Sequence, residues 1–236
     1  MTLLRVFVVA VAVVVWCAVS SPASADVNGS LNIANASGGG VLVSPTTITW
    51  LPTGTVSGTG SVFTGAGTNV TYSGGTLGPG VQGDIKNLTA GGPLPVDQFM
   101  TFPAVSPVLD FMLTGLGPGS PNTNCAGLSI GGSCSIAAGS PFILTDLTTG
   151  TALSLSAFGT ITDNGVTGSW SGLFSSQLNL TPAQIQSTVL GGGTVESTYS
   201  GQFNVTSPPS VPEPGTLLLL GLGLVGMTGA RRKIKK

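Results

Sequence analysis

The stretch TALSLSAFGTITDNGVTGSWSGLFSSQL, residues 151–178, decides the fold of this chain. Its first half alternates between apolar and small polar residues, and its second half repeats the alternation around Trp170 and Phe174. A period of two predicts half-buried strands. Between the halves lies the tripeptide DNG at 163–165, and Asn-Gly favours a tight turn because both residues accept positive φ. We therefore predict an antiparallel hairpin that joins Thr151–Thr162 to Val166–Leu178.

Alternation of the same kind predicts further strands along the body of the chain. They are Thr46–Leu51, Ser61–Tyr72, Val81–Leu88, Val108–Gly115, Pro141–Asp146 and a segment within 195–205. Between residues 28 and 92, Gly-Thr steps recur without a fixed period, which favours a sheet with many turns over a β-solenoid. The sequence therefore predicts an all-β fold, either an antiparallel β-sandwich or a flattened barrel.

One short helix is predicted directly after the hairpin. Thr181 provides an N-cap, Pro182 suits the first helical position, and Gln184 completes a capping box. The helix is expected to end near Leu190, because three glycines follow at 191–193.

The chain is poor in charge. Charged residues make up 6% of its 236 residues, Gly accounts for 37, and His is absent; soluble domains average roughly 25% charged residues. Between residues 26 and 210 a single lysine, Lys86, opposes seven acids, which gives that body a net charge of −6. Because phosphate binding needs clustered Lys and Arg, we predict no nucleic-acid partner.

The N-terminus has the parts of a signal peptide. Arg5 precedes the apolar run Val6–Val19, and small residues at Ala23 and Ala25 suit signal peptidase. We therefore predict that residues 1–25 direct export through the Sec machinery and are removed before Asp26. An uncleaved membrane anchor is the alternative, but the run is shorter than the ~20 residues that span a bilayer.

The C-terminus predicts a membrane tether. A Pro-rich linker at 207–215 precedes an apolar stretch at 216–230, which we interpret as a transmembrane helix. A core helix would need a polar face, and a GPI signal would not end in bases. By the positive-inside rule the basic tail at 231–236 lies in the cytoplasm and residues 26–206 form an extracytoplasmic β domain. The basic residues of that tail are Arg231, Arg232, Lys233, Lys235 and Lys236.

Three features of this end occur in a fixed order: Pro212-Glu213-Pro214, an apolar helix with glycine steps, and an Arg-rich terminus. Together they resemble the PEP-CTERM sorting signal of Gram-negative bacteria. The resemblance implies that an exosortase recognises Pro212, Glu213 and Pro214 and cleaves near them. It also implies a transient anchor in the inner membrane, followed by delivery to the cell surface or the extracellular matrix.

Two cysteines, Cys125 and Cys134, belong to the mature chain, because Cys17 lies within the leader. An even pair in an exported protein predicts a disulfide. Two cysteines without His cannot build a tetrahedral zinc site, so we predict neither a metal site nor a cofactor.

The sequence offers few groups for catalysis. Without His, Ser-His and Cys-His dyads are excluded. The acids most able to act in pairs are at least 13 residues apart: Asp97, Asp110, Asp146, Asp163 and Glu196. We therefore predict a non-enzymatic surface or matrix protein, in the manner of a biofilm component, with exopolysaccharide or copies of itself as candidate partners. The alternatives are a carbohydrate-active or carbohydrate-binding domain that uses these acids, and a module that binds a small ligand or an ice-like surface through flat Thr rows.

Overall fold

The predicted hairpin is present in the computed structural model, which describes residues 26–89 and 91–207. Its strands pair without interruption from Thr151 opposite Leu178 to Asp163 opposite Val166. Asn164 and Gly165 both have positive φ, 46° and 82°, as the tight turn requires.

The described residues form sixteen strands and one helix, numbered here in chain order. The first eight strands are β1 (Gly29–Asn35), β2 (Gly40–Val43), β3 (Thr47–Leu51), β4 (Thr59–Thr64), β5 (Val70–Tyr72), β6 (Gly75–Leu77), β7 (Gln82–Lys86) and β8 (Leu88–Thr89). The next six are β9 (Val96–Phe102), β10 (Leu109–Leu116), β11 (Ser133–Cys134), β12 (Phe142–Leu147), β13 (Gly150–Asp163) and β14 (Val166–Leu178). Helix α1 (Pro182–Leu190) follows, and β15 (Val195–Ser197) and β16 (Ser200–Thr206) end the body.

Eight of these strands close into an antiparallel barrel, in the order β1, β4, β7, β9, β10, β13, β14, β16 and back to β1. Strand β13 makes the closure possible because it is long enough to pair with two strands along the same edge. Its second half, Ala157–Thr162, pairs with β10, and its first half pairs with β12. The barrel alternative of the predicted fold is therefore the correct one.

Aromatic side chains from neighbouring strands fill the interior of the barrel. Trp170 is buried at the centre, with ring centroids of Phe203, Phe99 and Phe111 at 5.5, 6.2 and 6.2 Å. Its indole N–H donates to the backbone carbonyls of Met112 and Thr160, each at 3.0 Å. The polar N–H of the buried indole is thus hydrogen-bonded to the backbone of the sheet.

Glycines on adjacent strands make room for these rings. Gly159 lies opposite Trp170, and Gly172 lies opposite Phe203. A Cβ on Gly159 would stand 1.8 Å from the Met112 carbonyl oxygen and 2.9 Å from the Trp170 ring. The glycines that stand among the alternating apolar residues of these strands are therefore needed for the packing of the rings.

Smaller elements cover the barrel. Strands β15, β2, β3 and β8 form a second sheet, which packs on the barrel through Trp50, 5.0 Å from Phe174 and 4.7 Å from Tyr199 between ring centroids. Hairpin β5–β6 is held next to the β13–β14 turn, where the Ser73 hydroxyl donates to Asp163 at 2.6 Å.

Several predicted elements are confirmed. Helix α1 has Thr181 as its N-cap, with a complete capping box to Gln184. Strands are present at the predicted positions Thr46–Leu51, Val81–Leu88, Val108–Gly115 and Pro141–Asp146, and strands β1 to β8 lie between residues 28 and 89.

Two regions differ from the prediction. Ser61–Tyr72 is two strands, β4 and β5, because the segment 65–69 turns away and bonds to β1 through Gly65 N–H and Asn32 O. Strand β9 was not predicted, because the alternation of apolar and polar residues is broken there. Gln98 has a φ of 49°, and the consecutive residues Phe99 and Met100 both lie in the interior.

The predicted signal peptide, transmembrane helix and basic tail lie outside the described residues. Within residues 26–89 and 91–207, no helix is long and apolar enough to cross a membrane.

Replacing Gly159 by Ala tests the packing of the barrel interior. The added methyl group has no space between Met112 and Trp170, so Gly159→Ala is expected to lower the free energy of unfolding by roughly 1–3 kcal/mol. Urea denaturation followed by Trp fluorescence measures the loss. The control is Gly78→Ala, because a Cβ there meets nothing within 4 Å; equal midpoints for the two variants would contradict the packing argument.

Candidate functional site

Both ends of the body leave the barrel at the same place. Strands β1 and β16, the first and the last, pair with each other from Gly29 opposite Val205. Beyond them the Ser207 N–H donates to the Asn28 side-chain oxygen at 3.1 Å, and the Ser207 hydroxyl donates to the Val27 carbonyl at 2.8 Å. We call this the terminal end of the barrel; the β13–β14 turn lies there too, since Thr206 pairs with Ser169.

The predicted processing residues precede or follow the body in the sequence and lie outside the described residues. They are Ala23, Ala25, Pro212, Glu213, Pro214, Arg231, Arg232, Lys233, Lys235 and Lys236. Their predicted roles stay predictions as far as the structure is concerned. The structure adds the point at which each segment joins the body, next to Val27 on one side and Ser207 on the other.

The predicted disulfide is present. Cys125 and Cys134 are buried and bonded, with their Cα atoms 5.3 Å apart. Gln186 of α1 holds the chain on both sides of this bond: its side-chain amide donates to the carbonyls of Thr123 and Ile136, each at 2.8 Å, and its oxygen accepts from Cys125 N–H. The bond and the glutamine together fix the segment that follows Cys134 against the helix.

Two of the acids have structural roles. Asp84 is buried and accepts hydrogen bonds from the backbone N–H and the hydroxyl of Thr55. Asp163 is buried and accepts from the backbone N–H and the hydroxyl of Ser73. Each carboxylate therefore ties a loop to the barrel, which is the ordinary use of Asp beside turns.

Of the remaining acids, only Asp97 and Asp110 lie on neighbouring strands, β9 and β10. Asp110 faces outward from β10 opposite Thr162, whereas Asp163 points to the other side of the sheet. Asp146 lies on β12, and Glu196 is exposed on β15 in the second sheet. Among the described residues, no group of three or more His, Cys, Asp or Glu is placed to hold a metal ion.

Asp110 is the acid whose surroundings alter its chemistry. Burial raises the pKa of this carboxyl group, and the charge of Asp97 raises it further, against the opposing effects of Lys86 and the Gln98 N–H. One carboxyl oxygen, Oδ1, is buried without a hydrogen-bond partner among the described residues. The ionised form of Asp110 is therefore poorly stabilised in the folded protein.

The described body has a groove away from the terminal end. It has a volume of about 770 Å³ and lies between the second sheet, the segments 91–96 and 136–142, the end of β10 and the last turn of α1. Ile48, Leu88, Val96, Leu116 and Phe142 are among its apolar walls. Its lining contains no ionisable side chain, so the groove suits an uncharged ligand and not acid–base chemistry.

The sequence does not predict this groove, because its walls come from five separate segments. The available signals were compositional: the Pro93-Leu94-Pro95 tripeptide and the run of small residues before Phe142. Neither has a periodicity that predicts a shared surface.

Comparison with known proteins identifies the tail. Residues 210–233 match the family described as the PEP-CTERM protein-sorting motif. No curated protein and no solved structure matches the chain. The chain thus carries a PEP-CTERM sorting motif at its C-terminus, as the order of features in the tail predicted. That motif makes it an exported protein that an exosortase sorts to the cell surface.

Replacing Asp110 by Asn tests the cost of its charge. Because its pKa is raised above the ordinary 3.8, the folded chain binds more protons than the unfolded chain just above that pH, and stability falls as pH rises through this window. Asp110→Asn removes this loss, so its urea midpoint is expected to exceed that of the parent at pH 7 and to equal it at pH 3. A gain of the same size at both pH values would assign the effect to packing.

Proposed function

We propose that this protein is a non-enzymatic component of the cell surface or extracellular matrix of a Gram-negative bacterium. In this proposal signal peptidase removes residues 1–25, and the segment 216–230 then holds the barrel at the inner membrane. An exosortase cleaves near Pro212, Glu213 and Pro214 and frees the barrel for its final location. The observation that carries the proposal is the sorting motif, which begins only three residues after the last described residue.

The position of the chain ends supports this order of events. Pro212 lies five positions beyond Ser207, and an extended chain of that length reaches at most about 18 Å. A membrane-embedded enzyme that cuts near Pro212 therefore works close to the terminal end of the barrel.

The absence of catalysis is proposed from the chemistry of the described side chains. A glycoside hydrolase needs two carboxyl groups that flank one bond. Asp84 and Asp163 are occupied by hydroxyl and backbone donors, and Asp146 and Glu196 lie on different sheets. The carbohydrate-active alternative therefore has Asp97 and Asp110, on the neighbouring strands β9 and β10, as its remaining pair of carboxyl groups. These observations favour a structural or binding role over the carbohydrate-active alternative.

An uncharged sheet face supports exopolysaccharide as the partner. The outward side chains of β13, β14 and β16 form rows of hydroxyl and amide groups around Phe158 and Leu173; the polar members are Ser154, Ser156, Thr160, Thr162, Thr167, Ser169, Ser171, Ser175, Gln177, Ser200, Gln202, Asn204 and Thr206. We call this surface the neutral face. Its four threonines, Thr160, Thr162, Thr167 and Thr206, lie together at the terminal end, and Ser, Asn and Gln occupy the rest of the face. No Thr row therefore runs along the whole face, as an ice-like ligand would need.

Phe158 gives the neutral face a flat apolar platform. Its ring lies over Gly115, where a Cβ would stand 2.4 Å from the ring, and 45% of the residue is exposed. The face of an aromatic ring carries partial negative charge, which attracts the C–H groups of a sugar ring. The surrounding hydroxyl and amide groups can bond to the sugar hydroxyls.

Blocking the sorting motif tests the proposed processing. In the producing bacterium, the double variant Pro212→Ala, Glu213→Gln is expected to accumulate with its tail in the membrane fraction, because the recognition residues are gone. The parent is expected at the surface or in the medium, and mass spectrometry of its C-terminus should place the new end near residues 212–214. Pro209→Ala is the control, because it changes linker stiffness outside the motif. A surface form of the parent that still ends at Lys236 would disprove the proposal.

Truncating Phe158 tests the proposed partner. Phe158→Ala is expected to weaken retention on a neutral extracellular polysaccharide at least threefold in affinity electrophoresis, without a loss of stability beyond about 1 kcal/mol, because the residue lies on the surface. Ile130→Ala, at an exposed apolar site away from the neutral face, should leave retention unchanged. Equal retention of both variants would remove the neutral face from the proposal. Conversely, sugar release by the parent that Asp110→Asn abolishes would favour the enzyme.

A further inference from the structure

The geometry points to a second binding site, in which the apolar groove holds the acyl chain of an uncharged lipid or a similar neutral amphiphile. This inference does not depend on the proposed sorting or on the neutral face. It rests on the size, rigidity, composition and position of the groove.

The size of the groove fits a small molecule. Its volume of about 770 Å³ lies within the range of roughly 300–1,000 Å³ that ligand sites occupy. The interior of the barrel, by comparison, is filled by Trp170 and its neighbours, which leaves no such space there. The groove is therefore where the described body has room for a ligand.

The walls of the groove are rigid before any ligand arrives. Four prolines line it, Pro45, Pro93, Pro95 and Pro141, and each fixes its own backbone φ. The wall formed by residues 136–142 follows the Cys125–Cys134 disulfide and is tied to α1 by Gln186. A preformed site loses little conformational freedom on binding, so more of the contact energy appears as affinity.

Apolar side chains at this groove remain in contact with water. Leu94 is 50% exposed and Leu190 is 61% exposed, and both line the groove together with the buried Val189. Removing apolar surface from water stabilises a complex by roughly 25 cal/mol per Å². An acyl chain laid along these residues would bury surface that the protein alone leaves exposed.

The charge of the groove selects an uncharged ligand. The lining carries no cation that could pair with a phosphate or carboxylate, and the body as a whole has a net charge of −6. A fatty acid anion or an acidic phospholipid headgroup would therefore lack a partner and be repelled. Asn87, Thr47, Thr89 and Ser140 line the same groove and can bond to the hydroxyl or ester groups of a neutral head.

The binding experiment uses the exported protein purified without detergent. N-phenyl-1-naphthylamine, an uncharged fluorescent probe, should bind with a micromolar dissociation constant and be displaced by a monoacylglycerol. The corresponding fatty acid anion should displace it at least tenfold less well. Failure of the parent to bind the probe, or equal displacement by the two lipids, would overturn the inference.

Two pairs of variants locate the site. Leu94→Asp places a charge at the groove, and Ala138→Trp fills it without charge; each should weaken probe binding at least tenfold. Their matched controls, Ile130→Asp and Ala126→Trp, change exposed residues outside the lining and should bind like the parent. Loss of binding in the controls, or retention in both groove variants, would place the probe elsewhere. A dimer in analytical ultracentrifugation that Leu94→Asp dissociates would instead assign the groove to a second copy of the chain and overturn the lipid site.

Discussion

Pairing between β10 and β13 is the interaction on which the rest of the described body depends, because it closes the sheet. Six residue pairs join the two strands, from Asp110 opposite Thr162 to Leu116 opposite Ala157. Closure satisfies the backbone groups that an open sheet would expose at its edges. It also directs every second side chain of eight strands into one interior, which the cluster around Trp170 fills. Backbone pairing and apolar burial therefore stabilise the same arrangement.

The scarcity of charge shapes both the interior and the surface. The buried carboxylates Asp84 and Asp163 each receive a backbone N–H and a hydroxyl, so hydrogen bonds stabilise them where other proteins use cations. On the outside, the neutral face and the groove both lack ionisable side chains. Recognition at either surface must then rely on shape, apolar contact and neutral hydrogen bonds, and it should respond little to salt.

Local sequence patterns predicted the parts of the fold that local physics determines. The hairpin turn follows from Asn164-Gly165, the helix start from Thr181 and Gln184, and the disulfide from two cysteines in an exported chain. Closure was not predictable, since nothing in β10 or β13 alone specifies that they pair across 41 to 52 positions of the chain. Strand β9 was missed because a bulge at Gln98 breaks the alternation, and the groove was missed because five segments build it. The sorting motif was recognisable because its recognition residues are contiguous in the chain.

Pairing of the first strand with the last has a consequence for secretion. The contact between Asn28 and Ser207 spans 179 positions, so β1 must wait for nearly the whole body to be translocated before its partner β16 arrives. Long-range pairing of this kind folds slowly. In the proposed processing, the segment 216–230 reaches the translocation machinery after β16 and would hold the completed polypeptide at the membrane while this slow pairing takes place. Cleavage of this segment would then release molecules that have folded completely. Chains that end before β16 would lack both the strand that pairs with β1 and the sorting motif that leads to release.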